Sequence, residues 1–196
     1  MRYITIEREY GSGGTRIARE LAAKAQIPCY GEEILRVAAE NLNVTVEQMR
    51  DYEETTKGSF LYSIYLLSQS MSGNSEMLSS DGKIFVEEQK AIEKFAIKGS
   101  SIFLGHCASE ALKESPDLIK VFIHGDKASK RKRIMEEYGV KESQIDSVEK
   151  KNNRRRANYY RANTQKQWDD FHSYDIVLDS TTLGIQGCVD VLSGLL

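Results

Sequence analysis

The sequence contains only three cysteines, two prolines and one tryptophan among its 196 residues, and it has no long hydrophobic run. Cys29, Cys107 and Cys188 are far apart and form no Cys-x-x-Cys pair, which argues against a disulfide framework or a zinc site and favours a reducing compartment. The longest apolar stretch, residues 60–67, is interrupted by Ser63 and is far shorter than a bilayer-spanning helix. No signal peptide is visible at the N-terminus. We therefore expect a cytoplasmic protein without a membrane segment.

The charged residues are close to balance, with a net charge of −2 and a pI near 6.0. This balance gives no overall reason to expect nucleic acid or an anionic membrane as a partner. The length is that of one domain with a sizeable core. Because neither an internal repeat nor a linker divides the chain, we expect a single domain over residues 1–196 and leave homo-oligomerisation open.

A strand, a glycine-rich turn and a helix follow one another at the N-terminus. Residues 3–6 form a β-branched and aromatic run that predicts a strand. The next residues are Gly11, Ser12, Gly13 and Gly14. A helix is then predicted, because apolar side chains recur on one face at Ile17, Ala18, Leu21, Ala22 and Ala25. This arrangement presents backbone N–H groups and a helix N-terminus to phosphate, as nucleoside-triphosphate sites do.

The P-loop signature Gly-x-x-x-x-Gly-Lys-[Ser/Thr] fits this turn incompletely. With Gly13 as the second glycine, the first falls on Arg8, the lysine on Gly14 and the hydroxyl on Thr15. We expect a side chain at Gly13 to fill space that a phosphate would occupy. Arg8 or Arg16 could replace the missing lysine, and Arg8 is favoured because it leaves the strand beside the turn.

Two other interpretations of the turn stay open. A glycine cluster after a strand is often a tight turn without a ligand. The dinucleotide fingerprint Gly-x-Gly-x-x-Gly needs a third glycine where the chain has Arg16. Glu32 and Glu33 nevertheless lie at a suitable distance downstream to contact a ribose.

The remainder of the chain alternates helical and strand patterns. Thr45 and Gln48 form a capping box that predicts the start of a helix. Residues 59–71 look helical, and residues 72–82 are expected to form a mobile loop. Other patterns predict helices over about 32–41 and 83–96, a helical zone over about 127–166, strands at 101–104, 118–123 and 175–179, and a last helix capped by 180–182. These segments indicate an α/β fold with a parallel sheet covered on both faces and ligands beyond the carboxyl ends of its strands.

The helical zone is rich in arginine and lysine. Arg154 and Arg161 are two helical turns apart and share a face, whereas Arg155 and Arg156 point elsewhere. Guanidinium groups on a movable helix suit phosphoryl transfer, which needs positive charge and exclusion of water. A solvated basic face and contacts to nucleic-acid phosphates are the alternatives. The phosphate-binding turn favours phosphoryl transfer, so nucleic acid is not expected as a partner.

Residues 4–14 resemble the opening of the cytidylate-kinase-like proteins, a branch of the P-loop nucleoside monophosphate kinases. That branch similarly reads Arg-x-x-Gly-Ser-Gly-Gly, as Arg8 to Gly14 do here, where other kinases carry the P-loop lysine. The resemblance covers nearly the whole chain and includes residues 30–36, 105–107 and 175–182. It implies a P-loop NTPase fold, with a parallel sheet flanked by helices, a helical acceptor-binding insertion over about 30–82 and an arginine-rich lid over about 139–166.

The resemblance also implies roles for individual residues. Those that would bind ATP are Gly11, Ser12, Gly13, Gly14 and Thr15 at the phosphates, with Thr15 also on Mg²⁺, and Ser180 and Thr181 near the adenine. Those that would bind the acceptor are Glu33, Arg36, His106 and Arg133, with Arg36 on its phosphate. Those that would act on the transferring group are Arg8, Arg154, Arg156 and Arg161. We expect the lid arginines Arg154 and Arg156 to be largely exposed before nucleotide binds.

The sequence departs from the family pattern on the acceptor side. Family members usually carry an aspartate near Gly31 and an arginine at the position of His106. Losing both would weaken the grip on an acceptor phosphate and sugar, since a mostly neutral imidazole does not replace a bidentate guanidinium. No acidic residue directly ends the strand at 102–104 to hold magnesium, so Thr15 is the clear candidate ligand.

The expected activity is transfer of the γ-phosphoryl group of ATP to a CMP-like nucleoside monophosphate or a related small acceptor. The implied cofactors are ATP and Mg²⁺, and the implied partners are small-molecule nucleotides. A nucleotide-binding regulatory protein with a degenerate kinase site is one alternative, which the missing cations at Gly14 and His106 favour. A kinase of a non-nucleotide small molecule is the other, and it would be favoured if polar groups that read cytosine were absent.

Overall fold

The computed structural model of the protein describes residues 1–49 and 80–196. The helix predicted at 59–71 and most of the loop predicted at 72–82 lie outside these ranges. Residues 80–82 are described and already belong to a helix, so the loop prediction is wrong for these three positions.

The described chain contains a sheet of five parallel strands with the order β2-β3-β1-β4-β5. Their bounds are β1 (Tyr3–Arg8), β2 (Cys29–Tyr30), β3 (Ser101–Leu104), β4 (Leu118–His124) and β5 (Ile176–Asp179). In the centre, Ile4 of β1 pairs with Ile102 of β3 on one side and with Ile119 of β4 on the other. A central parallel strand is covered on both faces, which explains why these strands are almost continuously apolar. The predicted parallel sheet is confirmed.

Seven α-helices with both ends among the described residues connect or cover the strands, and residues 46–49 are also helical. Their bounds are α1 (Gly14–Ala25), α2 (Glu32–Leu42), α3 (Ser80–Ala96), α4 (Ala108–Ala111), α5 (Lys127–Tyr138), α6 (Ile145–Thr164) and α7 (Gly184–Ser193), with short 3-10 helices at Glu142–Gln144 and Phe171–Ser173. In the ranges 1–49 and 80–196, none of the helices has the length and apolar character that crossing a bilayer requires.

Alternate residues of the strands bury opposite faces of the sheet, as the two-residue period of a strand requires. On one face, Ile4 and Ile6 of β1 pack with Leu21 of α1 and Leu192 of α7. On the other face, Phe103 of β3 packs in a separate cluster that includes residues of α2 and α3. Helices thus pack on both faces of the sheet.

Several predicted bounds differ from the observed ones. The helical zone 127–166 is two helices, because Gly139 ends α5 with a φ of 64°, a left-handed conformation that favours glycine. Helix α7 begins at Gly184 after Leu183, and so residues 180–182 do not cap it. The capping box is confirmed: the N–H of Gln48 donates to Thr45 Oγ1 at 3.2 Å, and the N–H of Thr45 donates to Gln48 Oε1 at 2.9 Å.

All five strands run in the same direction, so their carboxyl ends meet at one edge of the sheet. The segments that leave this edge include residues 9–13 after β1, residues 105–107 after β3 and residues 180–183 after β5. Ligands of open parallel sheets bind at this edge. The candidate site is therefore built from these turns and from the helices that cover them.

Candidate functional site

The turn after β1 exposes the start of helix α1. Gly11 and Gly13 have φ angles of 79° and 80°, which glycine adopts without strain. Helix α1 begins at Gly14, and no side chain of the described residues caps it by a hydrogen bond. The first N–H groups of a helix lack intrahelical acceptors and attract anions. The backbone of this turn therefore suits a phosphate.

Other residues hold the turn in place. The Ser12 hydroxyl donates to the carbonyl of Glu9 at 2.9 Å. Arg133 donates from Nη1 to the carbonyl of Gly11 at 3.3 Å and from Nη2 to the carbonyl of Ser180 at 3.0 Å. The buried Ser180 hydroxyl donates in turn to the carbonyl of His124 at 2.9 Å. The turn is thus joined to the segment after β5 by Arg133 and Ser180, which were predicted to bind substrate and cofactor. In the same segment, Thr181 Oγ1 accepts a hydrogen bond from the N–H of Asp126.

Glycine at position 13 also has a reason within the protein. A Cβ on Gly13 would lie 2.4 Å from Cδ1 of Ile185, a partly buried residue of α7. A side chain there would clash with Ile185, and the expected clash with a bound phosphate stays a prediction. A side chain at Gly13 would disturb the fold before it tested ligand binding.

Arg8 occupies the space that a side chain at Gly14 would need. A Cβ on Gly14 would lie 2.6 Å from Cβ and 2.9 Å from Cγ of Arg8, and one on Gly105 would lie 2.7 Å from its Nη1. The Arg8 side chain thus runs between these two glycines. Arg16 instead is exposed and pairs with Glu20 at 2.7 Å on its own helix. The geometry favours Arg8 over Arg16 as the cation that replaces the P-loop lysine.

A cleft of about 280 Å³ lies at this edge of the sheet. Its wall combines the end of β1, the turn after β3, and the helices α1, α2 and α6. The lining residues are Glu7, Arg8, Thr15, Arg19, Gly31, Glu32, Leu35, Leu104, Gly105, His106, Cys107, Arg155, Arg156, Tyr159 and Tyr160. Four guanidinium groups and two carboxylates are among them, so the cleft suits an anion.

One face of helix α6 contacts the segment that leads into the turn. Arg156 donates from Nη1 to the carbonyl of Arg8 at 2.6 Å, and Asn153 accepts from the N–H of Tyr10 at 2.7 Å. One turn earlier, Glu149 binds Lys130, which also binds Glu9. Positions 149, 153 and 156 share a helix face. Helix α6, the predicted lid, therefore lies directly over the turn in this structure.

Lys130 is the shared partner of two carboxylates. Its side chain is 9% exposed, and its Nζ lies 2.9 Å from Glu9 Oε2 and 2.8 Å from Glu149 Oε1. Burial lowers the pKa of Lys130, but hydrogen bonds to Glu149 and Glu9 outweigh it and raise the pKa above its ordinary value. The charged lysine thus links helices α5 and α6 to the turn.

Arg156 is half-buried, so the expectation that it is largely exposed without nucleotide is wrong. Burial and the nearby positive charge of Arg8 lower the pKa of Arg156 to about 9. Two guanidinium groups that face one cleft repel each other, which costs free energy. An anion bound between them would offset this repulsion. Arg155 and Arg156 both line the cleft, although only Arg156 was expected to act on the transferring group and Arg155 was not assigned a role.

The other predicted arginines lie elsewhere. Arg154 is exposed and lines a separate groove with Lys150 and Asp169. Arg161 is exposed further along the same helix. Arg36 is exposed in a groove beside the cleft. Their roles in phosphoryl transfer stay predictions.

The groove beside the cleft contains two predicted acceptor residues. Glu33 and Arg36 line it together with Glu47, and Glu32 reaches both the groove and the cleft. Glu33 also accepts a hydrogen bond from the N–H of Gly31 at 3.1 Å, which satisfies a backbone donor at the start of α2. The structure thus brings His106, Arg8 and Thr15 into one cleft but places Arg36 and Glu33 next to it.

His106 is held by a residue that sequence reasoning missed. Its Nδ1 lies 3.2 Å from Oε1 of Glu88, a fully buried residue of α3 whose Oε2 accepts a hydrogen bond from the Tyr159 hydroxyl. Glu88 follows Phe85 by three residues and precedes Ile92 by four, so it lies on the buried face of α3. A carboxylate on such an apolar face is the sequence signal that could have identified it.

A magnesium ion would find few protein ligands here. The described residues contain no group of three acidic, histidine or cysteine side chains that could hold a metal ion. Thr15, Glu7 and Glu32 nevertheless line the same cleft, and Mg²⁺ in kinase sites takes most of its ligands from water and substrate phosphates. The hydroxyl and the two carboxylates therefore fit a nucleotide-bound magnesium ion, while the exposed helix start fits its phosphates.

Known structures share this architecture. An uncharacterized protein from Eubacterium ventriosum ATCC 27560 is 27% identical, with 98% of this chain and 96% of that chain covered and a TM-score of 0.70. A shikimate kinase from Bacteroides thetaiotaomicron is 12% identical, with 99% and 97% covered and a TM-score of 0.52. A gluconokinase from Sinorhizobium meliloti 1021 is 15% identical, with 99% and 91% covered and a TM-score of 0.52. The two kinases are similar in fold, so the chain has the fold of P-loop kinases.

Among curated proteins, none matches the sequence. The model of the cytidylate kinase-like family matches residues 3–182, a span that runs from β1 to the segment after β5 and includes every wall of the cleft. With the fold, the glycine turn and this match in agreement, the chain belongs to the cytidylate kinase-like family.

Proposed function

We propose that this protein transfers the γ-phosphoryl group of ATP to a small acceptor bound in the cleft. The observation that carries the proposal is the course of Arg8, whose side chain runs past Gly14, the position of the lysine in the P-loop signature, and lines the same cleft as Thr15 and Arg156. Family membership supports the same conclusion.

Each part of the site has a role in this reaction. The N–H groups at the start of α1 bind phosphate oxygens of the donor. Arg8, Arg155 and Arg156 stabilise the negative charge of the transferring group, and helix α6 excludes water by covering the turn. Thr15, together with Glu7 or Glu32, would hold Mg²⁺, which would supply further positive charge at the phosphates.

Two classes of acceptor are candidates. Family membership favours a nucleoside monophosphate such as CMP. His106 in place of the usual arginine, and the lack of the aspartate that family members usually carry near Gly31, favour a small non-nucleotide acceptor instead, because both departures weaken binding of a nucleotide phosphate and sugar.

Isothermal titration with ATP and a transfer assay with γ-labelled ATP test the proposal. We expect the wild type to bind ATP in a magnesium-dependent manner and to label an acceptor, and Arg8→Ala to lose both. Arg16→Ala is the matched control, since Arg16 is exposed and pairs with Glu20. Tight ATP binding without transfer to any acceptor would instead support the regulatory alternative, and no ATP binding would refute the proposal.

Three other sequence predictions accompany the proposal. They are a single domain over 1–196 with a lid near 139–166, a cytoplasmic location, and no role for nucleic acid. Oligomerisation stays open.

A further inference from the structure

Glu88, His106 and Tyr159 form a hydrogen-bonded cluster in the wall of the cleft. The Glu88 side chain is fully buried, with Oε1 at 3.2 Å from Nδ1 of His106 and Oε2 accepting from the Tyr159 hydroxyl. A carboxylate accepts hydrogen bonds, so a neutral His106 with its proton on Nδ1 would donate that proton to Glu88. Nε2 would then be the ring atom through which His106 exchanges a proton with a ligand. This is the relation between carboxylate and imidazole found where histidine acts as a base.

The backbone fixes the position of this imidazole. Gly105, His106 and Cys107 have φ angles of 79°, 57° and 50°, all in the left-handed region that is uncommon outside glycine. The carbonyl of His106 accepts a hydrogen bond from Nε2 of Gln89 at 3.0 Å. Helix α3 thus holds both the ring and the backbone of His106. Strained conformations of this kind persist where surrounding structure fixes them, and they concentrate at functional sites.

Charged groups of both signs surround His106 at the cleft. Four guanidinium groups line the same cleft, two of them from α6 and one each from β1 and α1: Arg155, Arg156, Arg8 and Arg19. Glu7 and Glu32 from β1 and α2 oppose them, and Glu88 from α3 attracts positive charge to His106 itself. The hydrogen bond from Tyr159 to Glu88 weakens that attraction, since it neutralises part of the carboxylate charge. The four guanidinium groups oppose a further positive charge at His106, and a base at this position requires the neutral ring.

We propose that His106 is the general base for the acceptor, that Glu88 is its positioning residue, and that the acceptor is therefore a small alcohol. This inference rests on the phosphoryl transfer proposed above. As the hydroxyl oxygen of the acceptor bonds to the γ-phosphorus of a nucleoside triphosphate, the hydroxyl proton passes to Nε2 of His106. The bond from the γ-phosphorus to the βγ-bridging oxygen breaks, and its electron pair leaves with the nucleoside diphosphate. A phosphate acceptor has little need of such a base, because its attacking oxygen is already largely deprotonated at neutral pH.

The competing explanation is that His106 is charged and replaces an arginine that binds an acceptor phosphate. Nitrogen-15 NMR of the unliganded protein at pH 8 separates the two, with His124→Asn and His172→Asn used to assign the signals. We expect a neutral ring with its proton on Nδ1. A ring that carries both protons at pH 8 would overturn the inference. In Glu88→Gln we expect the preference for the Nδ1 tautomer to be lost, whereas a purely structural role for Glu88 would leave it unchanged.

Transfer assays provide the second test. The probes are γ-labelled ATP with glycerol, myo-inositol, D-gluconate and L-homoserine as alcohols, and with CMP, UMP and AMP as phosphate acceptors. We expect transfer to at least one alcohol, with kcat lowered about 10²- to 10⁴-fold in His106→Asn and the dissociation constant of ATP unchanged. Asparagine is chosen because it tolerates the left-handed backbone. Circular dichroism verifies that the variant folds.

The results of these assays distinguish failure of the base and alcohol assignment from failure of the proposed phosphoryl transfer. Transfer to nucleoside monophosphates alone, transfer to none of the acceptors by a protein that binds ATP, or an unchanged kcat in His106→Asn would each overturn the alcohol and base assignment. Loss of transfer in Glu32→Gln but not in His106→Asn would assign the base to Glu32. Failure of the wild type to bind ATP at all would refute the phosphoryl transfer itself.

Discussion

Individual side chains at the site concentrate positive charge at one cleft, which four arginines line. Arg8 and Arg156 approach one another at the cleft, and the backbone carbonyl of Arg8 accepts a hydrogen bond from the Arg156 guanidinium. The lowered pKa of Arg156 shows that the fold holds this charge at a cost, for which burial and Arg8 are responsible. Binding sites for phosphate tolerate such a cost because the ligand compensates it. We therefore distinguish charges that serve ligand binding, such as that of Arg156, from charges that stabilise the fold.

Replacing Arg156 by glutamine tests this distinction. The folded-state pKa of about 9 lies below the ordinary arginine value, so the charged form is penalised at pH 7 and the penalty falls as pH rises through 9. We therefore expect Arg156→Gln to leave the free energy of unfolding at pH 7 unchanged or higher while it weakens ATP binding. The stability of the wild type relative to the variant should increase from pH 8 to pH 10, as measured by urea denaturation. A variant that is much less stable yet binds ATP normally would show that Arg156 is structural.

Helix α6 is the element that joins the cleft to the turn. It contacts the turn through Asn153, Arg156 and the bridge from Glu149 to Lys130, while Arg155 reaches the cleft wall. The exposed side of this helix is as polar as its inner side. The spacing of apolar residues therefore did not indicate which side chains of α6 face the rest of the protein. That is why sequence reasoning placed Arg154 and Arg161 on the functional face instead of Arg155.

The bridge through Lys130 should stabilise the docked position of α6. In Lys130→Met, Glu9 and Glu149 would remain close together without their shared cation, and we expect a loss of about 3 kcal/mol of stability. Burial lowers the pKa of Lys130, but Glu149 and Glu9 outweigh burial and raise it above 10.5. The difference in the free energy of unfolding between Lys130→Met and the wild type should therefore be fully present at neutral pH and should decrease above pH 10.5. Lys127→Met on the same helix is the control, since its side chain is 73% exposed. Equal stability of the two variants in denaturant titrations would disprove the bridge.

The arginines of α6 should differ in their effect on turnover. We expect Arg155→Ala and Arg156→Ala to lower kcat by about 10³-fold, a typical effect of arginines that stabilise a transferring phosphoryl group. Arg154→Ala should have a much smaller effect, because Arg154 faces a separate groove in this structure. Single-turnover assays with labelled ATP measure the three variants. The largest loss in Arg154→Ala would show that α6 turns or shifts during the reaction and would restore the sequence-based assignment.

At the scale of the molecule, the parallel sheet brings distant segments of the chain to one edge. The strand at 3–6, the glycine turn and the parallel arrangement could be predicted because their signals are local and periodic. The contact between Glu88 and His106 could not, since it depends on how α3 packs beside the end of β3, which no local pattern encodes. The position of Arg8 at the end of the strand predicted that its side chain lies beside the turn, whereas its role as the replacement for the P-loop lysine stays a proposal. The helix boundary at Gly139 was missed although glycine is a common residue after a helix.

An exchange between positions 8 and 14 tests the central claim most directly, namely that Arg8 supplies the cation of the donor phosphate site. Arg8→Gly removes the cation, and Gly14→Lys alone forces a side chain into the 2.6 Å gap beside Cβ of Arg8. The double variant carries the complete P-loop signature, with glycine at 8, Gly13, lysine at 14 and Thr15. The measurement is the dissociation constant of magnesium ATP for the wild type, both single variants and the double variant by isothermal titration. We predict weak binding by each single variant and recovery in the double variant, whereas wild-type affinity in Arg8→Gly would contradict the account.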